Sequence, residues 1–200
     1  MYYNNYMGFL NNLNNILDNW LSQAGLWGGF VCCLLIIIEP LLPILPMFIF
    51  VTLNLYIFGY VIGFLLSYIC SVLGCLVFYI VINKLFYKKA KKFYTKKKNI
   101  NHLMNKYKNM KFETLTTIIS LPFTPGLMIN LFAALSDMSI KKYMSAEIIA
   151  KIFITIFWGF IGVNLIKCFE NPKYIIVILI MLLCGYLLSK LVNKKYNLND

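Results

Sequence analysis

The sequence predicts an all-α, polytopic integral membrane protein with two opposed re-entrant hairpins, related as an inverted repeat, and about three full transmembrane helices. Composition gives the first reason: of 200 residues, 60% are hydrophobic and 13% charged, too few polar groups to cover a surface in water. Patterning gives the second, because the apolar residues gather in long runs. The third is a pair of proline motifs, Pro43-Ile44-Leu45-Pro46 and Pro122-Phe123-Thr124-Pro125, that break two of those runs 79 positions apart. Proline removes a backbone donor and clashes with the preceding turn. Broken backbone inside a bilayer is tolerated only where protein or a water-filled cavity surrounds it. Two such breaks suggest related halves, each dipping a broken helical hairpin into the membrane.

Taken in order, residues 1–25 are expected to form an interfacial amphipathic helix. Leu10, Leu13, Leu17, Trp20 and Leu21 recur at helical spacing against asparagines. Up to Gln23 there is no lysine and no continuous apolar core, which argues against a secretory signal peptide. One membrane domain, 26–192, follows. Leu26 to Ile38 would reach only about 20 Å as a helix, against a hydrocarbon core of about 30 Å. Glu39, Pro40, Pro43 and Pro46 then turn the chain into a second short arm, Met47 to Phe58, so 26–58 reads as re-entrant hairpin 1. If Leu26 to Ile38 instead crosses, the N-terminus is cytoplasmic. A full span occupies 59–83. In the basic segment 84–112, Ile100, Leu103, Tyr107 and Met110 recur every three or four residues, as in an interfacial helix, with a solvated linker as the alternative. Residues 113–138, broken at Pro122 and Pro125, form hairpin 2. Spans at 143–165 and 174–191 flank a turn at Glu170-Asn171-Pro172, and 193–200 is a basic tail.

The formal net charge of +12 is local. Of 19 lysines, 11 lie between Lys84 and Lys111 with no acidic residue among them, and arginine is absent. Beside apolar spans, such a block marks a cytoplasmic loop and attracts anionic lipid. No nucleic-acid-binding motif accompanies it, so no nucleic-acid partner is expected. Loop and tail share the cytoplasmic side if only two full spans separate them, which requires hairpin 2 to enter and leave by one face. Cysteines 32, 33, 70, 75, 168 and 184 lie mostly in apolar runs without ligand spacing, and His102 stands alone, so no metal or cofactor is expected. With no nucleophile–base pair and no phosphate loop, the chain does not read as an enzyme.

Glu39 is the sharpest candidate for chemistry: a carboxylate between an apolar run and a proline turn needs a partner, a proton or water, unless the turn places it among headgroups. Asn54 and Asn130 each follow a proline motif in an apolar arm, where an amide can satisfy opened backbone or contact a polar headgroup. Lys84 ends a span, where snorkelling is the ordinary role. Glu147 and Lys151 stand four apart in the favourable order for a helical ion pair. Gly59, Gly63, Ser67, Ser71 and Cys75 form a stripe of small side chains that either packs a helix or lines a slot.

In combination these features resemble the DedA superfamily, also called the VTT-domain or SNARE-associated Golgi protein family, in its short bacterial branch. The resemblance runs from Leu26 to Lys167. It rests on Glu39-Pro40 with Pro43 and Pro46, then Asn54, Gly59, Gly63 and Gly74, and later Leu121 to Pro125, Asn130, Leu135-Ser136 and Lys151. Lys84 and Ser120 stand where family members often carry arginine, and Ala150 where a glycine often precedes the lysine. The resemblance implies paired re-entrant hairpins facing each other across the bilayer, and scrambling of lipid or translocation of a carrier lipid.

The expected function is therefore movement of a phospholipid or lipid-linked phosphate between leaflets of a bacterial plasma membrane. Glu39, Asn54, Asn130, Lys84 and Lys151 are its candidate substrate or coupling residues. Membrane lipids, with anionic headgroups among them, are the expected partners, and a homo-oligomer is left open. A proton- or cation-coupled carrier of a small solute using Glu39, and a non-transporting envelope scaffold, are the alternatives.

Overall fold

Proline decides where the first helices stop and start. Glu39 still donates its amide to the Leu35 carbonyl at 2.9 Å, but Pro40 has no amide to give, and helix α1 (Gly25–Ile38) gives way to turns at Leu41 and Leu42. The computed structural model describes residues 25–42, 45–124 and 126–196. The expected interfacial helix before Gly25 lies outside these, as do Pro43, Pro125 and the last four residues. Seven helices occur among the described residues, and α2 (Met47–Tyr94) begins directly after the extended Pro46.

Helix α2 is not one rod. Gly59 has φ 76° and ψ 166°, a conformation that glycine alone adopts readily, and the 47–58 arm doubles back there on residues 60–94. The Asn54 amide donates to Ser67 Oγ at 3.0 Å, although 13 positions would separate the two by about 20 Å along an unbroken helix. Side chains are excluded where the arms touch. A Cβ at Gly63 would overlap the Asn54 carbonyl, and one at Gly74 would lie 2.7 Å from the Ile37 carbonyl oxygen. The small-residue stripe thus seats α1 and the 47–58 arm along the remainder of α2.

At its other end α2 runs past Asn83, where the span was expected to end, to Tyr94. Lys88-Lys89-Ala90-Lys91-Lys92 contains only good helix formers, so the start of the basic segment extends the helix instead of leaving it. The next helix, α3 (Lys98–Asn109), falls where the periodicity of the basic segment predicts one. Its Met104 and Tyr107, with Met110 just beyond, are buried in protein, and Tyr107 stacks on Phe132 at 4.6 Å. The apolar face packs on the second hairpin.

That hairpin consists of α4 (Phe112–Ile119) and α5 (Gly126–Leu135) around the Pro122 turn. Its end is fixed by side chains of α2: Asn83 donates to the Ala134 carbonyl and Tyr79 to the Met138 carbonyl, each at 2.8 Å. Ser139 Oγ accepts from the Lys142 amide and caps α6 (Ile140–Glu170), which runs antiparallel to the long part of α2, with Tyr79 stacked on Tyr143 at 5.3 Å and Tyr68 donating to the Ile148 carbonyl. Leu115, Ile118, Ile129, Ala133 and Ala146 fill the core between α4, α5 and α6. Helix α7 (Tyr174–Tyr196) packs on α6 and on the Pro122 turn, where Phe123 meets Phe157 and Tyr186 edge-on.

Among the described residues, three helices are long and apolar enough to cross a membrane, over Met47–Phe93, Ile140–Cys168 and Tyr174–Val192. This agrees with the expected number of spans. Leu179, Ile180, Leu183 and Leu187 are exposed on α7, a surface that suits lipid and not water.

Candidate functional site

The two hairpins lie at opposite ends of the long part of α2, the first between Gly59 and Gly74, the second around Asn83. Their turns meet between them. A cavity of about 670 Å³ opens there, lined by Glu39, Pro40 and Pro46 from the first turn, Pro122 and Thr124 from the second, Asn130 from α5, and Glu147, Lys151 and Trp158 from α6.

Two of the three charged residues lining this cavity, Glu147 and Lys151, sit on one face of α6, one helical turn apart, and the third, Glu39, comes from the first turn. Glu147 is 0% exposed and Lys151 8%. The expected helical ion pair is not closed: among the described residues the salt bridges join Lys91 and Lys108 to Asp137, and neither carboxylate oxygen of Glu147 has a hydrogen-bond partner. Lys151 instead lies in the field of two carboxylates, Glu147 and the partly buried Glu39. The polar neighbours of Glu147 are Cys75 of α2 and Tyr143 of α6, and the Tyr143 hydroxyl is also buried without a partner. Charges removed from water need compensation, which Glu147 and Lys151 do not give each other through a closed ion pair.

Of the residues singled out from sequence, Glu39, Asn130 and Lys151 come together here, with Pro40, Pro46 and Pro122 shaping the wall. Asn54 does not join them. It is fully buried behind the first hairpin, donating to Ser67 Oγ and, at 3.6 Å, to Cys33 Sγ. Lys84 is exposed on α2 away from the cavity. Gly63, Ser67, Ser71 and Gly74 lie where the first hairpin packs on α2, although the buried Ser71 hydroxyl has no partner, whereas Gly59, with nothing within 4 Å of a Cβ, is the reversal and not a packing contact. Glu147, expected only as the ion-pair partner of Lys151, lines the cavity itself. The signal was available, since Tyr143, Glu147, Lys151 and Thr155 recur every fourth residue in a predicted span.

A second polar cluster lies at the Lys91 end of α2. Asp137, between α5 and α6, accepts from Tyr87, from Lys91 at 3.0 Å and from Lys108 at 3.4 Å. The Tyr87 hydroxyl, followed by the Lys91 ammonium, holds its carboxyl down at about 2. Lys142 adds a bond to the Lys108 carbonyl at 3.4 Å, so α2, α3 and the start of α6 are tied together.

The VTT domain matches residues 45–164, a stretch that begins near the end of the first turn, past Glu39 and Pro40, and takes in the second turn, Asn130, Glu147 and Lys151. The chain belongs to the VTT-domain (DedA) family. It is also 27% identical over 165 residues to the uncharacterized membrane protein YhjE of Bacillus subtilis (strain 168), covering 82% of this chain and 80% of that protein. No solved structure matches. Membership of a membrane-protein family accords with the three long apolar helices among the described residues.

Proposed function

We propose that this membrane protein moves a phosphate-bearing lipid headgroup between leaflets through the cavity at which its two hairpins meet. In this reading both hairpins are re-entrant and enter from opposite faces as an inverted pair. The basic segment 84–111 and the C-terminal lysines lie at the cytoplasmic face of a bacterial plasma membrane. Arm length supports re-entry, because α1 and α5 reach about 21 Å and 15 Å, short of a hydrocarbon core of about 30 Å.

The observation that carries the function is Lys151: an ammonium at 8% exposure, within a helix able to cross a membrane, beside a cavity of about 670 Å³. A charge in such a position is expensive and serves a ligand or an ion path. A lysine presents a compact point charge with three donors, which suits a phosphate that must be held and then released. The headgroup crosses in the cavity while its acyl chains stay among the exposed leucines and isoleucines outside.

Dithionite quenching of acyl-labelled lipids in vesicles holding the purified protein tests this. Exchange faster than in protein-free vesicles is expected, slowed about ten-fold or more by Lys151→Met, the scale of one lost charge-assisted hydrogen bond. Failure to accelerate anionic, zwitterionic and polyprenyl phosphate lipids alike would overturn the proposal.

A further inference from the structure

The basic end of α2 carries an apolar face that the fold leaves partly uncovered. Ile82, Phe86, Ala90 and Phe93 recur every three or four residues, so they share one side of the helix, the side that meets α5. Helix α5 stops at Leu135, and Ala90 offers only a methyl group between the two phenylalanines. A groove of about 590 Å³ remains there, with Leu131 and Leu135 on its α5 side and Phe86 and Phe93 exposed along it. Lys89 is the one polar side chain among its described lining residues. Charge says what covers the groove. Among the described residues both salt bridges end on Asp137, which takes Lys91 and Lys108 and leaves Lys89 and Lys92 without a carboxylate. These two lysines are exposed and stand three apart, which makes them neighbours on the helix surface. An occupant must bring a slim apolar body with a negative charge beside it.

We propose that this groove binds an anionic phospholipid of the adjoining leaflet, one acyl chain lying against Phe86, Leu131 and Leu135 and the phosphate held by Lys89 and Lys92. A lipid reaches the groove without leaving the bilayer, because Ile82 and Phe86 belong to the apolar span that runs to Phe93. A protein helix would first have to displace lipid from the same phenylalanines. The lysines suit this border, since their stems lie along apolar surface while the ammonium stays at headgroup level. The bound chain touches α2 and α5 at once. It therefore wedges the second hairpin against the end of α2, at a site apart from the cavity where the hairpin turns meet.

Phe86→Trp puts a reporter in the groove of the full chain, with the unsubstituted protein as the fluorescence baseline for its own tryptophans. The chain is placed in phosphatidylcholine vesicles that contain acyl-brominated phosphatidylglycerol or acyl-brominated phosphatidylcholine. The glycerol lipid is expected to quench the new indole at a mole fraction about ten-fold lower than the choline lipid, the scale of one or two lysines at a membrane surface. Lys89→Gln with Lys92→Gln should bring the two lipids level, whereas Lys173→Gln, exposed at the other end of α6, should not. Ala90→Leu keeps every charge but fills the space between the phenylalanines, and should cost the same preference. Equal quenching by the two lipids before these changes would overturn the inference. So would a preference that survives the paired lysine change, or one that survives Ala90→Leu, since diffuse attraction to an anionic surface then accounts for it. An indole shielded from both lipids would give the groove to a second copy of the chain or another protein and overturn the lipid. Lipid exchange enters none of these readouts, so this site and the proposed transport stand or fall separately.

Discussion

The two hairpins reach one cavity but are seated on α2 by different means. The first is held where side chains are missing: Gly74 lets the Ile37 backbone approach, Gly63 admits Asn54 and Leu55, and one buried amide, that of Asn54, reaches Ser67. The second is held where side chains reach out. Tyr79 and Asn83 donate to backbone carbonyls at its end, Tyr107 stacks on Phe132, and Asp137 gathers Tyr87, Lys91 and Lys108. Backbone-to-backbone contact leaves no slack, since interiors are close-packed and added volume must displace something. Side-chain bonds can be lost one at a time. The first hairpin, which carries Glu39, should therefore be the intolerant one.

The largest effect is expected from Gly74→Leu. Its new Cβ would lie 2.7 Å from the Ile37 carbonyl oxygen, so the turn carrying Glu39 must shift, at a cost of about 1–3 kcal/mol or more. Thermal unfolding in detergent measures this, with Gly126→Ala as the comparison. No atom lies within 4 Å of a Cβ at Gly126, and alanine there should leave the melting temperature level or raise it. Equal losses from both variants would erase the distinction between the hairpins. Next come the two asparagines. Asn54→Leu should cost about 1–3 kcal/mol by stranding Ser67 while lipid exchange per folded molecule persists. Asn130→Leu should reduce exchange more than stability, because Asn130 lines the cavity. The opposite pattern would move the site behind the first hairpin.

Local breakers made the first hairpin legible in the sequence. Prolines and Gly59 act on their own backbone, so the turn at Glu39 and the reversal after Phe58 follow from residue type. Length and composition likewise marked α6 and α7 as spans. Partnership was less visible. The lysines of 88–92 could be recognised as charge, but not as the continuation of α2, because helix propensity and solvation pull the same residues in different directions. The apolar face of α3 showed its periodicity, yet periodicity alone does not say whether lipid or α5 covers it. The same limit applied to the site. Glu39, Asn130 and Lys151 were identifiable as polar groups in apolar arms. That Asn54 turns to Ser67, and that Glu147 stays open instead of pairing with Lys151, depends on contacts between elements far apart in the chain.

Tyr79→Phe probes the second hairpin alone. It deletes the bond to the Met138 carbonyl and keeps the stacking on Tyr143, so a loss of about 1 kcal/mol is expected, below that of Gly74→Leu. A loss as large as Gly74→Leu would show that single side-chain bonds matter as much as backbone contact, against the comparison drawn above.

Asp137→Asn should give the smallest effect, and pH separates its charge from its shape. Tyr87 first, and then Lys91, hold the carboxyl at about 2 against an ordinary 3.8. A depressed pKa favours the folded form above the unfolded value, and that contribution is lost as pH falls through the folded value. The melting temperature of the parent should therefore exceed that of Asp137→Asn at about pH 6, with the gap closing between about pH 4 and pH 2. Because the cluster is exposed, salt should narrow the gap at neutral pH too. A gap insensitive to both acid and salt would mean that Asp137 acts through the geometry of its bond to Tyr87. The second hairpin would then be fixed by shape, as the first one is.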